Sequence, residues 1–422
     1  MKTKAVRIYG KEDLRLEEFD LPPMKENEIL ARIVSDSICM STYKAVKQGA
    51  DHKRIPDDVH EHPTIIGHEF SGVILEVGKK WQDRYRPGQK FSIQPALNYK
   101  GSLDAPGYSF RYIGGDATYV LIPNEVMEMN CLLPYNGKGF FPASLSEPMS
   151  CVIGAFHASY HTRPGSYDHL MGIKKGGNLA ILAGAGPMGL AAINYAIFSD
   201  RTPRLLVVTD IDKDRLQRAS RLYSPETAAR YGVELHYVNT AAVDDPVTYL
   251  KTLSGGEGYH DVFVFAPVAA VIEQGDSLLS RDGCLNFFAG PTNPGFKAPL
   301  NFYNVHYGST HITGTSGGNN EDMIEALELF ARGLDPSGLV THIGGLDAVI
   351  ETTLNLPHIP GGKKLIYTHL SMPLTAIDDF EEKGKNDPLF SRLAGITKEH
   401  HGLWSVEAEQ YLLEHGNKID EG

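Results

Sequence analysis

Residues 179–198, LAILAGAGPMGLAAINYAIF, carry no charged side chain over about the length of a bilayer span, so how they fold constrains everything around them. One continuous membrane helix is a possible reading. Gly184, Gly186, Pro187 and Gly189 interrupt the run, and a buried strand, a tight turn and a helix fit it better. RLLVVTD, KDRLQRASRL, VELHYVN, DVFVFAP and CLNFFAG follow. Apolar strands alternating with helices predict an α/β fold with a doubly wound parallel sheet.

The turn itself reads Gly184-Ala185-Gly186-Pro187-Met188-Gly189, a GxGxxG pattern that is a weak signal alone. Here it closes a strand and opens a helix, the context of a Rossmann-type dinucleotide site. Gly184 suits the tight turn, Gly186 allows backbone to approach a pyrophosphate, and Gly189 allows close helix–strand packing. Pro187 fits the first helical turn, where a missing N–H costs nothing. The free N–H groups and dipole of that helix end suit phosphate. Asp210 ends the next strand, 21 residues beyond Gly189. A carboxylate there accepts ribose hydroxyls and repels a 2′-phosphate, favouring NAD(H). Lys213 and Arg215 nearby leave NADP(H) possible. If Asp210 only capped the next helix it would carry no such meaning, but Asp212 is available for that cap.

Ahead of this region the pattern is β-rich and irregular: KAVRIYG, LRLEEFDLP, EILARIVSDSI, then TIIGHEFSGVILEVG and RPGQKFSI. Three short motifs within or after it hold donor residues. Cys39 lies in SICMSTY, His68 and Glu69 in GHEFSG, and Glu147 in LSEPMS. A thiolate, an imidazole and a carboxylate suit a four-coordinate zinc with one open position. Each alone is more often core or surface; their order on one chain with a dinucleotide turn carries the inference.

That order, Cys…GHExxG…EP…GxGxxG…Asp, resembles the medium-chain zinc alcohol and polyol dehydrogenases over roughly residues 1–368. The resemblance implies a GroES-like catalytic domain, residues 1–165 and 317–422, around an inserted dinucleotide domain, residues 166–316. It implies that Cys39 and His68 are zinc ligands. Of Glu69 and Glu147, it makes one a ligand and leaves the other close by. Ser41 matches the hydroxyl that bonds the substrate alcohol. Residues 314–318, with Thr315, resemble the loop near the nicotinamide. Thr42 stands where the family often has the aspartate that orients the histidine, and Lys44 where it often has a histidine for proton exit. Residues 91–122 contain no cysteine, so the four-cysteine lobe for a structural zinc is missing and one zinc per chain is expected. Family members are commonly dimers or tetramers, which implies a homo-oligomer.

Within the family, the length, the missing lobe and the C-terminal extension are similar to the L-sorbose 1-phosphate reductases. This implies hydride transfer between a nicotinamide and a polyol or sugar phosphate, with L-sorbose 1-phosphate reduced to glucitol 6-phosphate. Alternatives are an unphosphorylated polyol or threonine-type dehydrogenase, a zinc-free quinone-reductase-like enzyme, and a relative that only binds NAD. Lys44, His52-Lys53-Arg54 and Arg111 are candidate phosphate cations, or else a solvated basic loop. Tyr108, Phe110 and Tyr112 could line a pocket or simply pack. His157 and His161 read as helical, His400 and His401 as a surface loop, and Cys131, Cys151 and Cys284 as buried packing.

A chain of 422 residues exceeds one ordinary core, in keeping with two domains. The net charge of −12 argues against nucleic acid or an anionic membrane as partner. The scattered cysteines give no disulfide framework, and the N-terminus lacks a signal-peptide core, so a cytoplasmic protein is expected. After the helix EDMIEALELFARG and the strand KKLIYTHL comes a tail of about fifty residues from Ser371, ending in a helix with Ser405 as N-cap and Gly416 as stop.

Overall fold

Six strands between residues 178 and 313 lie parallel, in the spatial order Glu234–Asn239, Leu205–Asp210, Asn178–Leu182, Tyr259–Val264, Leu279–Phe287, His311–Thr313. This is a computed structural model, and it describes residues 1–420. Leu205–Asp210 and Tyr259–Val264 are buried along their whole length, which is why such strands read as unbroken apolar runs. The chain steps outward from Asn178–Leu182 in one direction and then returns to its other side. The order therefore reverses beside the glycine turn, where nucleotides bind in sheets of this type. The uncharged run of residues 179–198 is strand, turn and helix Pro187–Phe198. Among the described residues no helix is long and apolar enough to cross a membrane.

This sheet belongs to a compact unit spanning residues 148–322; residues 1–147 and those from Met323 onward form the other. Residues 148–165 and 317–322 thus fold with the parallel sheet, where the sequence reading put them with the first unit. Local bonds explain it. The carbonyl of Ala155 accepts from Asn286 Nδ2 at 2.8 Å, Phe156 packs on Tyr195 and Phe263, and His157 pairs with Asp322 at 2.8 Å. His161, expected on a helix, lies on strand Tyr160–Thr162. That strand pairs antiparallel with His169–Met171 across a turn in which Gly165 takes φ +78°, and the His161 ring meets Asp261 at 3.2 Å.

In the other unit the long strand Ile29–Ile38 is the organising element. Its first half pairs with Tyr119–Ile122, its second half with Lys363–Tyr367, and its other edge with Phe70–Val77, all antiparallel. Lys90–Ile93 and Leu132–Pro134 extend the sheet on one side, and Val340–Gly345 and Thr375–Ala376 on the other. The register opposes Lys364 to Ile38 and Phe70 to Asp36. Residues just past one strand, just before the second and at the start of the third are thereby brought to the same place.

The tail folds onto this unit. Phe390, Leu393, Ile396, Trp404, Ala408 and Leu412 share a core with Phe141, Ile343, Leu365 and Tyr367. Its last helix, Val406–His415, has the expected Ser405 cap and ends at Gly416. Glu409 on that helix is fully buried and accepts from the Phe140 and Phe141 N–H groups and from Tyr367 Oη. Burial pushes its carboxyl up to about 7 against the pull of these donors.

Candidate metal and cofactor sites

Cys39 follows Ile29–Ile38 directly and caps helix Met40–Gln48, its sulfur accepting from the Ser41 N–H at 3.4 Å. His68 and Glu69 immediately precede Phe70–Val77, and both are buried. One donor atom from each of Cys39, His68 and Glu69 lies within 4.8 Å of the others. The soft thiol, the imidazole and the hard carboxylate make a donor set that fits zinc. Burial, with Glu69 second, pushes the Cys39 thiol up to about 12, and burial holds His68 down to about 4. A cation at this point would reverse the first of these, since a coordinating thiol is deprotonated outright.

Glu147 lies outside that 4.8 Å group, at the start of helix Ser146–Ala158, yet its charge reaches Cys39, Tyr108 and Lys363. Ser41 is exposed near the start of helix Met40–Gln48.

Several further residues surround the cluster. Lys363 Nζ donates to both Glu69 oxygens, at 2.5 and 2.6 Å, in a buried pair. Burial alone would raise the Glu69 carboxyl, but the lysine prevails and holds it low; the lysine is in turn held high by Glu69. The detectable signal was KKLIY itself, two lysines opening a strand that is buried throughout. Thr42, read as a missing orienting group, supplies one: its Oγ1 lies 3.1 Å from His68 Nδ1. Tyr108 is buried beside them, its Oη 3.3 Å from His68 Nε2.

Behind Glu69 sits a carboxyl pair. Asp36 and Asp116 are both fully buried, and Asp36 Oδ1 accepts the Glu69 N–H at 3.1 Å. Burial first, then the charges of Asp116 and Glu69, drives Asp36 well above the usual carboxylate range, and burial lifts Asp116 to about 7. Gly115 is required there, since a Cβ on it would stand 2.3 Å from Asp36 Oδ1.

An imidazole that offers Nε2 to a metal must carry its proton on Nδ1, and Thr42 accepts it. Thr42→Val is therefore expected to weaken zinc binding about 10–100-fold without unfolding the protein. Competition with a fluorescent chelator checks this, and unchanged affinity would dismiss the role.

In the other unit the glycine turn has the form the motif calls for. A Cβ on Gly189 would fall 2.1 Å from the Gly184 carbonyl oxygen, and one on Gly184 2.4 Å from Ile181, whereas Gly186 has nothing within 4 Å. Gly186 caps helix Pro187–Phe198 with open space before it, and Met188 is part-buried on the first turn. Asp210 does not cap the following helix; Asp212 does, accepting from Asp214 and Arg215. Asp210 braces the turn instead, accepting from the N–H groups of Ala185 at 3.1 Å, Ile211 at 2.8 Å and Asp212 at 3.1 Å. A carboxylate has about four acceptor positions, so a ribose hydroxyl can still bind. Arg215 Nε lies 3.5 Å from Asp212 in an exposed pair. Thr315 Oγ1 is buried without a hydrogen-bond partner among the described residues.

Among the remaining candidates, Phe110 packs on a core and Arg111 lies 3.8 Å from Asp58 in an exposed pair. His400 ends helix Pro388–Glu399 and, like His401, is exposed. Cys131 and Cys284 are buried and Cys151 is part-buried.

A nucleotide-type parallel sheet joined in one chain to a β-rich unit bearing a thiol, an imidazole and a carboxylate defines a metal-dependent oxidoreductase. The chain belongs to the medium-chain zinc-binding dehydrogenases. The zinc-binding dehydrogenase family model matches residues 187–332, and the alcohol dehydrogenase GroES-like domain matches residues 25–130. The chain is 53% identical to a mannitol-1-phosphate 5-dehydrogenase of Aliivibrio fischeri, over 98% of each protein. It is 52% identical to an L-sorbose 1-phosphate reductase of Klebsiella pneumoniae, over 99% of this chain and 98% of that one. Among solved structures, 2R,3R-butanediol dehydrogenase from Bacillus subtilis has the same fold, with a TM-score of 0.69 at 20% identity, covering 87% of this chain and 99% of that one.

Proposed function

We propose that the protein interconverts a ketose phosphate and a hexitol phosphate with NAD(H), reduction of L-sorbose 1-phosphate to glucitol 6-phosphate being the leading case. The observation that carries this reading is the Cys39–His68–Glu69 grouping in a chain more than half identical, nearly end to end, to two sugar-phosphate oxidoreductases. In this reading Cys39 and His68 hold one zinc, with Glu69 or Glu147 as the carboxylate partner. Zinc supplies Lewis acidity that eases loss of the carbinol proton or polarises the ketone. Ser41 bonds the substrate hydroxyl and passes its proton towards solvent. Thr42 fixes the tautomer of His68, and Lys363 fixes Glu69. The turn from Gly184 through Pro187 and Met188 to Gly189 holds the pyrophosphate, Asp210 the ribose and Thr315 the carboxamide. Asp210 favours NAD(H) over NADP(H). Family kinship supports a cytoplasmic homo-oligomer, a dimer or tetramer.

Steady-state kinetics with glucitol 6-phosphate and glucitol, each with NAD and NADP, tests the reading. The expected kcat/KM ratio is at least about 100 in favour of the phosphate, the worth of a charge-assisted bidentate contact. Equal or better turnover of free glucitol would replace this reading with an unphosphorylated polyol dehydrogenase.

A further inference from the structure

A phosphate monoester needs a cation that is not already neutralised. Most basic side chains near the metal cluster are spoken for or lie in water. Lys363 is bound to Glu69, Lys11 to Asp51, Arg111 faces Asp58, and Lys53 is exposed. Arg54 differs. It is half-buried, its guanidinium has no carboxylate or hydrogen-bond acceptor among the described residues, and its Nε is buried without a partner. A donor nitrogen closed off without an acceptor costs free energy that an incoming anion would relieve.

Its position is fixed on three sides. The Arg54 N–H donates to His52 Nδ1 at 3.3 Å, and its carbonyl accepts from Ser109 Oγ at 2.7 Å. Its guanidinium carbon lies 5.4 Å from the centre of the Tyr108 ring, against which His52 also stacks at 5.8 Å. The far end of that same tyrosine meets His68 Nε2, with the two rings 4.8 Å apart. One aromatic ring thus separates an unneutralised guanidinium from the imidazole of the metal cluster. The arginine's charge is felt at His68, where it adds to burial in disfavouring the protonated ring.

We propose that Arg54 is the residue that binds the substrate's phosphate and so sets the preference for a phosphorylated over a free hexitol. This rests on the reaction proposed above. The planar guanidinium takes two phosphate oxygens in parallel, while Tyr108 holds its plane by stacking. No bond is made or broken in the step. A lysine keeps the charge but loses both the fork and the stacking surface.

The test compares wild type, Arg54→Gln and Arg54→Lys as zinc-loaded enzymes, using glucitol 6-phosphate, mannitol 1-phosphate and the free hexitols. For the better phosphate, the kcat/KM ratio over its free hexitol is expected to fall about 100-fold in Arg54→Gln and about 10-fold in Arg54→Lys, mainly through KM. Calorimetric binding of glucitol 6-phosphate to the NAD complex should weaken in parallel, with the melting temperature held within about 2 °C. A wild-type preference for phosphate that survives in Arg54→Gln overturns the assignment of Arg54 and leaves the proposed reaction standing. A wild type with no such preference overturns the proposed reaction, and this inference with it.

Discussion

Cys39→Ala is expected to leave a folded protein that retains less than about a tenth of its zinc and loses at least about 1,000-fold in turnover. The reasoning starts from the donors. With the thiol gone, only His68 and a carboxylate already committed to Lys363 remain in the cluster. Two such donors make a poor zinc site, and a structural or catalytic zinc has three or four protein ligands. The Lewis acid contributes several kcal/mol to stabilising charge in the transition state, and each 1.36 kcal/mol is about tenfold in rate. Truncation removes one sulfur atom and the cap it gives the Ser41 N–H, which should cost about 1 kcal/mol and leave the fold intact. Metal analysis and circular dichroism on one preparation check both halves. Turnover within tenfold of wild type would show that the cysteine holds nothing the reaction needs.

Lys363→Met carries the largest expected loss of stability, about 3–5 kcal/mol, because it strands a buried carboxylate. The pair lies at the meeting of strands Ile29–Ile38, Phe70–Val77 and Lys363–Tyr367, where water cannot replace the ammonium. Glu69 is held below its ordinary value of 4.5, so its contribution is present above that pH and fades as pH falls through the lowered value. Lys363 is held above 10.5, so its contribution is present below that pH and fades as pH rises beyond. The pair therefore stabilises the fold across the whole neutral range. In Lys363→Met the lone carboxylate should take up a proton, and stability should then rise as pH is lowered towards 5. Denaturant unfolding at several pH values measures this. The double variant Glu69→Gln, Lys363→Met should recover most of the loss; if it does not, the damage is lost packing and the ion pair is not its cause.

The parallel sheet was legible because each of its strands is a local apolar run and its turn a local motif. Cys39, His68 and Glu69 were legible because each sits in a short recognisable segment. Lys363 and the Asp36–Asp116 pair were not, since antiparallel register, not spacing along the chain, sets them beside Glu69. Thr42 departs from the family's aspartate in sequence, yet its hydroxyl lies where it can do the bonding that the carboxylate would. His161 was misplaced because the helical rhythm of residues 146–158 gives no warning of the hairpin that follows, closed at Gly165. The tail's helix caps could be read directly, but not that Glu409 would be drawn into the core by two backbone N–H groups and a tyrosine.

X-ray absorption at the zinc edge of the loaded wild-type protein tests the central claim most directly. One sulfur near 2.3 Å with nitrogen and oxygen near 2.0–2.1 Å is the expected first shell, with the sulfur lost from whatever zinc Cys39→Ala retains. A shell without sulfur, or one unchanged in Cys39→Ala, would contradict a metal centre built on Cys39 and His68.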